Sequence, residues 1–289
     1  MKAVAILNCD KGQADEAAAA LSEAGVDAEV ETVGGDAIRD RAAAAVSDGA
    51  ELVIVGGGDG SVSRAAEAVA GTGVALAILP LGTLNHLARD LGIPIGLREA
   101  AGLIGSGHER PIDVAEVNGR TFINNAAIGL YPLMVVDRET QQQRLGRSKR
   151  LAMLVASLRT LLRFHHQRLT LCVDGGEARV DTPLLFVGNN DYRLALPAAG
   201  RRDRLDDGQL CVMVLRKKGV PGFLAAVARA LLGIPRPNDM VRLDGVRQLK
   251  VDSARSTVTM ALDGETVAMK PPLDFRIRPG ALRVIAPKT

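Results

Sequence analysis

At 289 residues, 47% hydrophobic and 24% charged, the chain is too apolar to be disordered and long enough for roughly two domains of about 150 residues each. No apolar run nears the ~18 residues of a membrane-spanning helix, Ala3–Leu7 is too short for a secretory signal, and three widely separated cysteines (Cys9, Cys172, Cys211) predict a cytoplasmic chain with reduced thiols. Five Phe, two Tyr and no Trp exclude a nucleic-acid binder that stacks bases on rings; the net charge of +3 conceals an acidic segment over 1–50 (ten acidic, four basic residues) and a basic one over 138–168 (eight Lys or Arg against Glu139).

In chain order, Ala3–Leu7 reads as a buried strand, Glu16–Ala24 as a helix, Ala28–Val33 as a strand and Ile38–Val46 as a helix. Leu52–Val55, Val62–Val69, Leu76–Leu79 and Leu84–Leu91 continue the strand–helix alternation. Such alternation predicts a parallel sheet covered on both faces, an α/β domain over residues 1–112. Beyond it the pattern changes. Leu169, Leu171 and Val173 alternate with polar positions, as do Val258, Met260 and Leu262, and Leu184–Val187, Leu210–Leu215, Phe275–Ile277 and Leu282–Ile285 are short apolar runs. With Asp174-Gly175-Gly176, Asp207-Gly208 and Asp263-Gly264 as turn signals, residues 113–289 read as an antiparallel β-sandwich domain. Helical patterns at about 147–165 and 221–232 interrupt it, and a return of the last strand to the first domain is left open.

Two glycine turns carry the chemistry. Val55-Gly56-Gly57-Gly58-Asp59-Gly60-Ser61 follows a strand, with Ser61 as the expected N-cap and Val62, Ala65, Ala66 and Val69 at helical spacing. Leu79-Pro80-Leu81-Gly82-Thr83 repeats the arrangement with Thr83 as the expected cap. Both turns then lie at the C-terminal edge of one parallel sheet, where glycine admits close approach of the main chain and free helix N–H groups favour phosphate. Neither is a P-loop or a Rossmann fingerprint. Asp59 at the centre of the first turn is a candidate ligand for Mg²⁺ on a nucleotide triphosphate; a carboxylate capping the turn is the plainer alternative.

At these residues the sequence resembles the diacylglycerol kinase catalytic-domain family, which is similar to NAD kinases in its Gly-Gly-Asp-Gly loop. The resemblance runs through Gly57-Gly58-Asp59-Gly60-Ser61, Leu79-Pro80-Leu81-Gly82-Thr83-Leu84-Asn85, Ala88-Arg89-Asp90-Leu91-Gly92-Ile93-Pro94, Asp113-Val114-Ala115, Phe122-Ile123-Asn124-Asn125, Asp207-Gly208-Gln209-Leu210 and Leu262-Asp263-Gly264-Glu265. It implies an ATP-dependent lipid kinase with an NAD kinase-like nucleotide domain and a C-terminal β-sandwich. Implied for ATP are Thr32, Gly57, Gly58, Asp59, Gly60, Ser61, Gly82, Thr83 and Asn85. Glu265 is implied as the general base taking the proton of the lipid hydroxyl, its basicity raised by a neighbouring carboxylate; Asp59 acts beside it with Mg²⁺. A structural Mg²⁺ is implied at the Asp207 carboxylate and the carbonyls of Arg204 and Gln209. From the residues alone, Asp207-Gly208 and Asp263-Gly264 are plain turns and Glu265 a solvated strand residue. Three departures stand out: Asn8-Cys9-Asp10-Lys11-Gly12 lacks the family's proline, Ser63-Arg64 replaces Asn-Glu, and His86 replaces an aspartate.

Leu151, Leu154, Val155, Leu158, Leu161 and Leu162 form one stripe of the 147–165 pattern, flanked by Arg147, Lys149, Arg150, Arg159 and Arg163. Such a helix lies on an anionic bilayer or packs on a sheet with a solvated basic face; Arg216-Lys217-Lys218 before Phe223-Leu224 is a second membrane candidate. The expected partners are a lipid substrate and the inner membrane surface, with homodimerisation left open and no nucleic acid. An NAD or other small-molecule kinase, or a non-catalytic lipid- or nucleotide-binding regulator, are the competing readings.

Overall fold

The computed structural model describes residues 2–129, 166–216 and 219–288. The basic pattern at 147–165, and Lys217 and Lys218, lie outside them.

Continuous apolar runs form the centre of the first sheet: β1 (Ala3–Asn8), β3 (Leu52–Gly57) and β4 (Ala75–Pro80) are buried at every position. Strands buried on both faces need helices on both faces. Helix α1 (Ala14–Glu23) packs with α5 (Leu97–Ser106), and α2 (Ile38–Ser47) packs with α3 (Asp59–Val69). The edge strand β2 (Glu29–Val33) and β3 both pair parallel to β1, and β4 pairs parallel to β3. The turns after β3 and β4 therefore share one edge, because Gly56 lies opposite Leu79 and Gly57 opposite Pro80.

Three local expectations are corrected. Helix α3 begins at Asp59 with Gly58 as its cap, so Ser61 is inside the first turn. The helix expected over Leu84–Leu91 is only α4 (His86–Asp90), capped at Asn85 and not at Thr83. Asn85 adopts a left-handed conformation (φ 50°), which breaks the helical run that the leucine spacing suggests. Phe275–Ile277 and Leu282–Ile285 belong to one strand, β16 (Leu273–Ala286), with a register shift at 278–282 around Pro279-Gly280. The long antiparallel partner β5 (His108–Val117) runs along both halves of β16 and holds them in one line. α5 has no counterpart among the sequence expectations.

The β half is built from β6 (Arg120–Phe122), β7 (Asn125–Gly129), β8 (Gln167–Val173), β9 (Gly176–Thr182), β10 (Leu184–Asn189) and β11 (Leu210–Leu215). They are followed by helix α6 (Val220–Leu231), β12 (Met240–Val246), β13 (Gln248–Ser253), β14 (Val258–Leu262) and β15 (Glu265–Met269). The first sheet has ten strands, with β2-β1-β3-β4-β16-β13-β8-β9 as its main path; the second has the order β12-β11-β10-β7-β14-β15. Alternate residues of the two sheets interlock in one core, with Phe122 and Phe275 edge to face. β16 pairs parallel to β4, so it feeds both cores: Phe275 and Ile277 into the sandwich, Leu282 and Val284 into the α/β half. β5 does the same with Val117 and Ile112.

Candidate active site

The two glycine turns touch backbone to backbone. A Cβ on Gly82 would sit 2.6 Å from the Gly58 Cα, and one on Gly57 would sit 2.4 Å from the Ser61 hydroxyl. Neither position admits a side chain, which lets the chain before α3 lie against the chain before α4. Asp59 locks the pair: its carboxylate accepts the Asn85 N–H (3.0 Å) and the His86 N–H (2.6 Å). The cap of α4 thus comes from the other turn. Asn85 in turn accepts the Gly82 N–H (3.0 Å) and donates to the Gly82 carbonyl (2.9 Å). Ser61 is buried and accepts from the Asn8 side chain (2.9 Å).

A cavity of about 410 Å³ opens over these turns, lined by Gly58, Asp59, Gly60, Ser61, Gly82, Thr83 and Leu84, by Asn8 and Asp10 at and just past the end of β1, by Gly35 and Asp36 beyond β2, and by Arg64 of α3. The first N–H groups of α3 have no partner within the helix and point to this side, which suits an anion. Of the residues expected at the nucleotide, three do not line the cavity: Thr32, exposed on edge strand β2, Gly57 at the end of β3, and the buried Asn85. Asp59 lines it as a hard-oxygen donor whose oxygens each accept a single N–H and keep a further lone pair, so it fits a hydrated divalent cation.

Asp263 and Glu265 behave differently from a plain hairpin. Asp263 and Gly264 both have positive φ (48° and 85°), the two-residue turn that matches strand twist between β14 and β15. The Asp263 carboxylate turns inward and accepts the N–H groups of Ile123 (2.9 Å), Asn124 (2.8 Å) and Asn125 (3.0 Å) and the Ser63 hydroxyl. Burial pushes this carboxyl above its ordinary value, while those four donors pull it down. The Asp263 carboxylate is therefore committed to the Ile123–Asn125 segment that crosses from β6 to β7. What Glu265 meets is Arg64, 2.7 Å away, and its oxygen lies 3.8 Å from where a Cβ on Gly60 would be.

At the third expected site, Arg204 lies on the Asp207 carboxylate (3.2 Å) and the Gln209 carbonyl accepts the Asn190 N–H (3.1 Å). One carboxylate and two carbonyls are the right donor types for Mg²⁺; as placed, the Asp207 carboxylate is paired with a largely exposed guanidinium that it shares with Asp206 (3.1 Å). Asp113 holds this turn, accepting the N–H of Gly208 (2.7 Å) and that of Gly280 in β16 (2.8 Å).

Two features escaped the sequence reading. Arg202, fully buried, pairs with Asp90 (2.8 Å), the last residue of α4, and donates to the Ile123 carbonyl and the Asn124 side chain. Its stretch, Arg201-Arg202-Asp203-Arg204, reads as solvated charge and carries no signal of burial. The second is an apolar cavity of about 380 Å³ between the second sheet and α6, walled by Leu184, Phe186, Met213, Ala226 and Leu231. His86, Asp90, Asn124 and Asn125 line it too, so one part of its wall belongs to the glycine turns and the crossover. Tyr192 also lines it; burial pushes its phenol up to about 12, against the nearby Arg202.

A parallel sheet with paired glycine turns, joined through shared strands to a β-sandwich, defines the NAD kinase-like class of two-part fold. Residues 3–117 match the diacylglycerol kinase catalytic domain and residues 134–286 match the YegS C-terminal NAD kinase beta sandwich-like domain. A Pseudomonas aeruginosa protein named probable lipid kinase YegS-like is 33% identical over 247 residues, 84% of this chain and 79% of its own. A diacylglycerol kinase of Mycobacterium tuberculosis is 32% identical over 282 residues, 94% of this chain and 89% of its own. A crystal structure of a diacylglycerol kinase from Bacillus anthracis shares the fold, with a TM-score of 0.71 at 22% identity over 99% of this chain and 96% of that one. The chain belongs to the diacylglycerol kinase catalytic-domain family.

Proposed function

We propose that this protein is an ATP-dependent lipid kinase that transfers the γ-phosphoryl group of ATP to a lipid hydroxyl. The observation that carries the reading is the apolar cavity whose wall includes His86, Asn124 and Asn125: an acyl chain fits against Leu184, Phe186 and Leu231 while its polar end reaches the phosphate turns. An NAD-type acceptor would leave that apolar wall unused.

In this scheme the N–H groups of α3 and the Gly82-Thr83 turn hold the phosphates, and Gly58 and Gly82 keep side chains out of their way. Mg²⁺ would be held by Asp59 and neutralises phosphate charge when bound. Glu265 takes the proton from the lipid hydroxyl as that oxygen bonds to the γ-phosphorus. The bond from phosphorus to the β,γ-bridging oxygen breaks, and its electron pair leaves with ADP. Leu196, Leu224, Leu232 and Ile234 are exposed near the α6 side of the cavity, with Leu196 N–H bonded to the Leu231 carbonyl (2.8 Å), and would face a bilayer supplying the lipid. Among the described residues no helix is long and apolar enough to cross a membrane.

The test is transfer of labelled γ-phosphate from Mg-ATP to diacylglycerol, sphingoid base, phosphatidylglycerol and NAD, run beside Glu265→Gln, with pelleting on anionic liposomes at low salt as a second readout. Label in a lipid, lost in Glu265→Gln, is the expected result. Label in NAD alone overturns the lipid reading, no transfer at all overturns the kinase reading, and failure to pellet overturns membrane docking.

A further inference from the structure

Arg64 is the one cation among the residues lining the phosphate cavity, where Asp10, Asp36 and Asp59 are the anions. Side chains on a helix lean toward its N-terminus, so Arg64, in the second turn of α3, reaches back beside the free N–H groups of the first. Its guanidinium donates to the Gly35 carbonyl (3.1 Å) and to Asp36 (3.0 Å), and pairs with Glu265 (2.7 Å). Asp36 is fully exposed and a weak competitor, while Glu265 is less than half exposed. One planar group thus borders both the cavity over the glycine turns and the small cleft containing Ser63, Asp263 and Glu265.

Resting on the kinase reading above, we propose that Arg64 exchanges partners when nucleotide binds: it leaves Glu265 for the terminal phosphate, so that Glu265 is free to accept the acceptor's proton only when a triphosphate is present. A guanidinium matches phosphate in two parallel hydrogen bonds, and a triphosphate concentrates more negative charge there than one carboxylate. In the unliganded protein the same ion pair screens Glu265. This makes Arg64 a positioning residue for the base as well as a phosphate ligand.

The exchange is read by binding, independent of turnover. Affinities of the full chain for Mg²⁺ with a non-hydrolysable ATP analogue, and for AMP, are measured calorimetrically for wild type, Arg64→Ala, Arg64→Lys, Glu265→Gln and the double variant. Arg64→Ala is expected to weaken the analogue about tenfold to a hundredfold and AMP less than about twofold, as loss of a charged hydrogen-bond pair implies. Arg64→Lys recovers part of the loss. Glu265→Gln, by freeing Arg64, tightens the analogue several-fold, and this gain vanishes in the Arg64→Ala background. Unchanged analogue affinity in Arg64→Ala overturns the proposal, as does a Glu265→Gln gain that persists without Arg64. Circular dichroism of each variant separates misfolding from lost binding. Should binding follow the expected pattern while no lipid accepts phosphate, the lipid-kinase reading falls and the Arg64 exchange stands.

Discussion

Replacing Asp263 with alanine tests whether this carboxylate organises the join between the two halves. The substitution removes the acceptor of three backbone N–H groups, those of Ile123, Asn124 and Asn125, and of the Ser63 hydroxyl. Ile123 and Asn124 are buried, so their N–H groups have little access to bulk water. Leaving each buried donor unpaired costs about 1–3 kcal/mol, and because burial of the charge is relieved at the same time, the lower end of the sum, about 3–5 kcal/mol, is expected. At roughly 2–4 °C per kcal/mol for a chain of this size, the unfolding midpoint falls by about 10 °C. Ser63→Ala is the control: it removes one donor and leaves the three main-chain bonds, for a loss of about 1 kcal/mol. Urea unfolding followed by circular dichroism measures both. An Asp263→Ala protein within about 0.5 kcal/mol of wild type would refute the reasoning, since that is the range of an ordinary surface change.

Three further outcomes follow from the same geometry. Gly82→Ala places a Cβ 2.6 Å from the Gly58 backbone, so the two turns must part; the expected result is a folded protein that has lost its thermal shift with Mg-ATP. Arg202→Ala strands the buried Asp90 carboxylate and is expected to cost about 3–5 kcal/mol in urea unfolding, part of which returns when Asp90→Asn is added. Tyr131→Phe leaves Tyr192 as the only tyrosine, and ultraviolet titration of that variant should show no phenolate until about pH 12 unless the protein unfolds first.

The parallel half was legible because its central strands are buried on both faces, so that runs such as Leu52–Val55 are apolar throughout and alternate with helical patterns. Both glycine turns were legible too, since Gly57 and Gly82 have no room for a side chain. The helix after the second turn was overread. Leu84, Leu87, Ala88 and Leu91 keep helical spacing, yet Asn85 takes a left-handed conformation because its side chain bonds to Gly82 on both sides of the amide. The register of β16 was hidden for a similar reason: Pro279-Gly280 reads as a break, and only the continuous partner β5 turns it into a bulge.

What no local pattern could reveal is which carboxylate serves which half. Asp59 looks like a metal ligand in its own turn, and the structure spends its hydrogen bonds on a turn 26 residues on. Asp263 looks like the turn residue beside Glu265, and its bonds go about 140 residues back to the crossover. Each pairing joins segments that the fold, rather than the sequence, brings together. The consequence for the chemistry is specific. With the Asp263 carboxylate turned toward Ile123–Asn125, the group paired with Glu265 is Arg64 from the nucleotide side. Control of the proposed base therefore passes from the acceptor domain to the phosphate turn, which is why a substitution in α3 is expected to change what Glu265 does on β15.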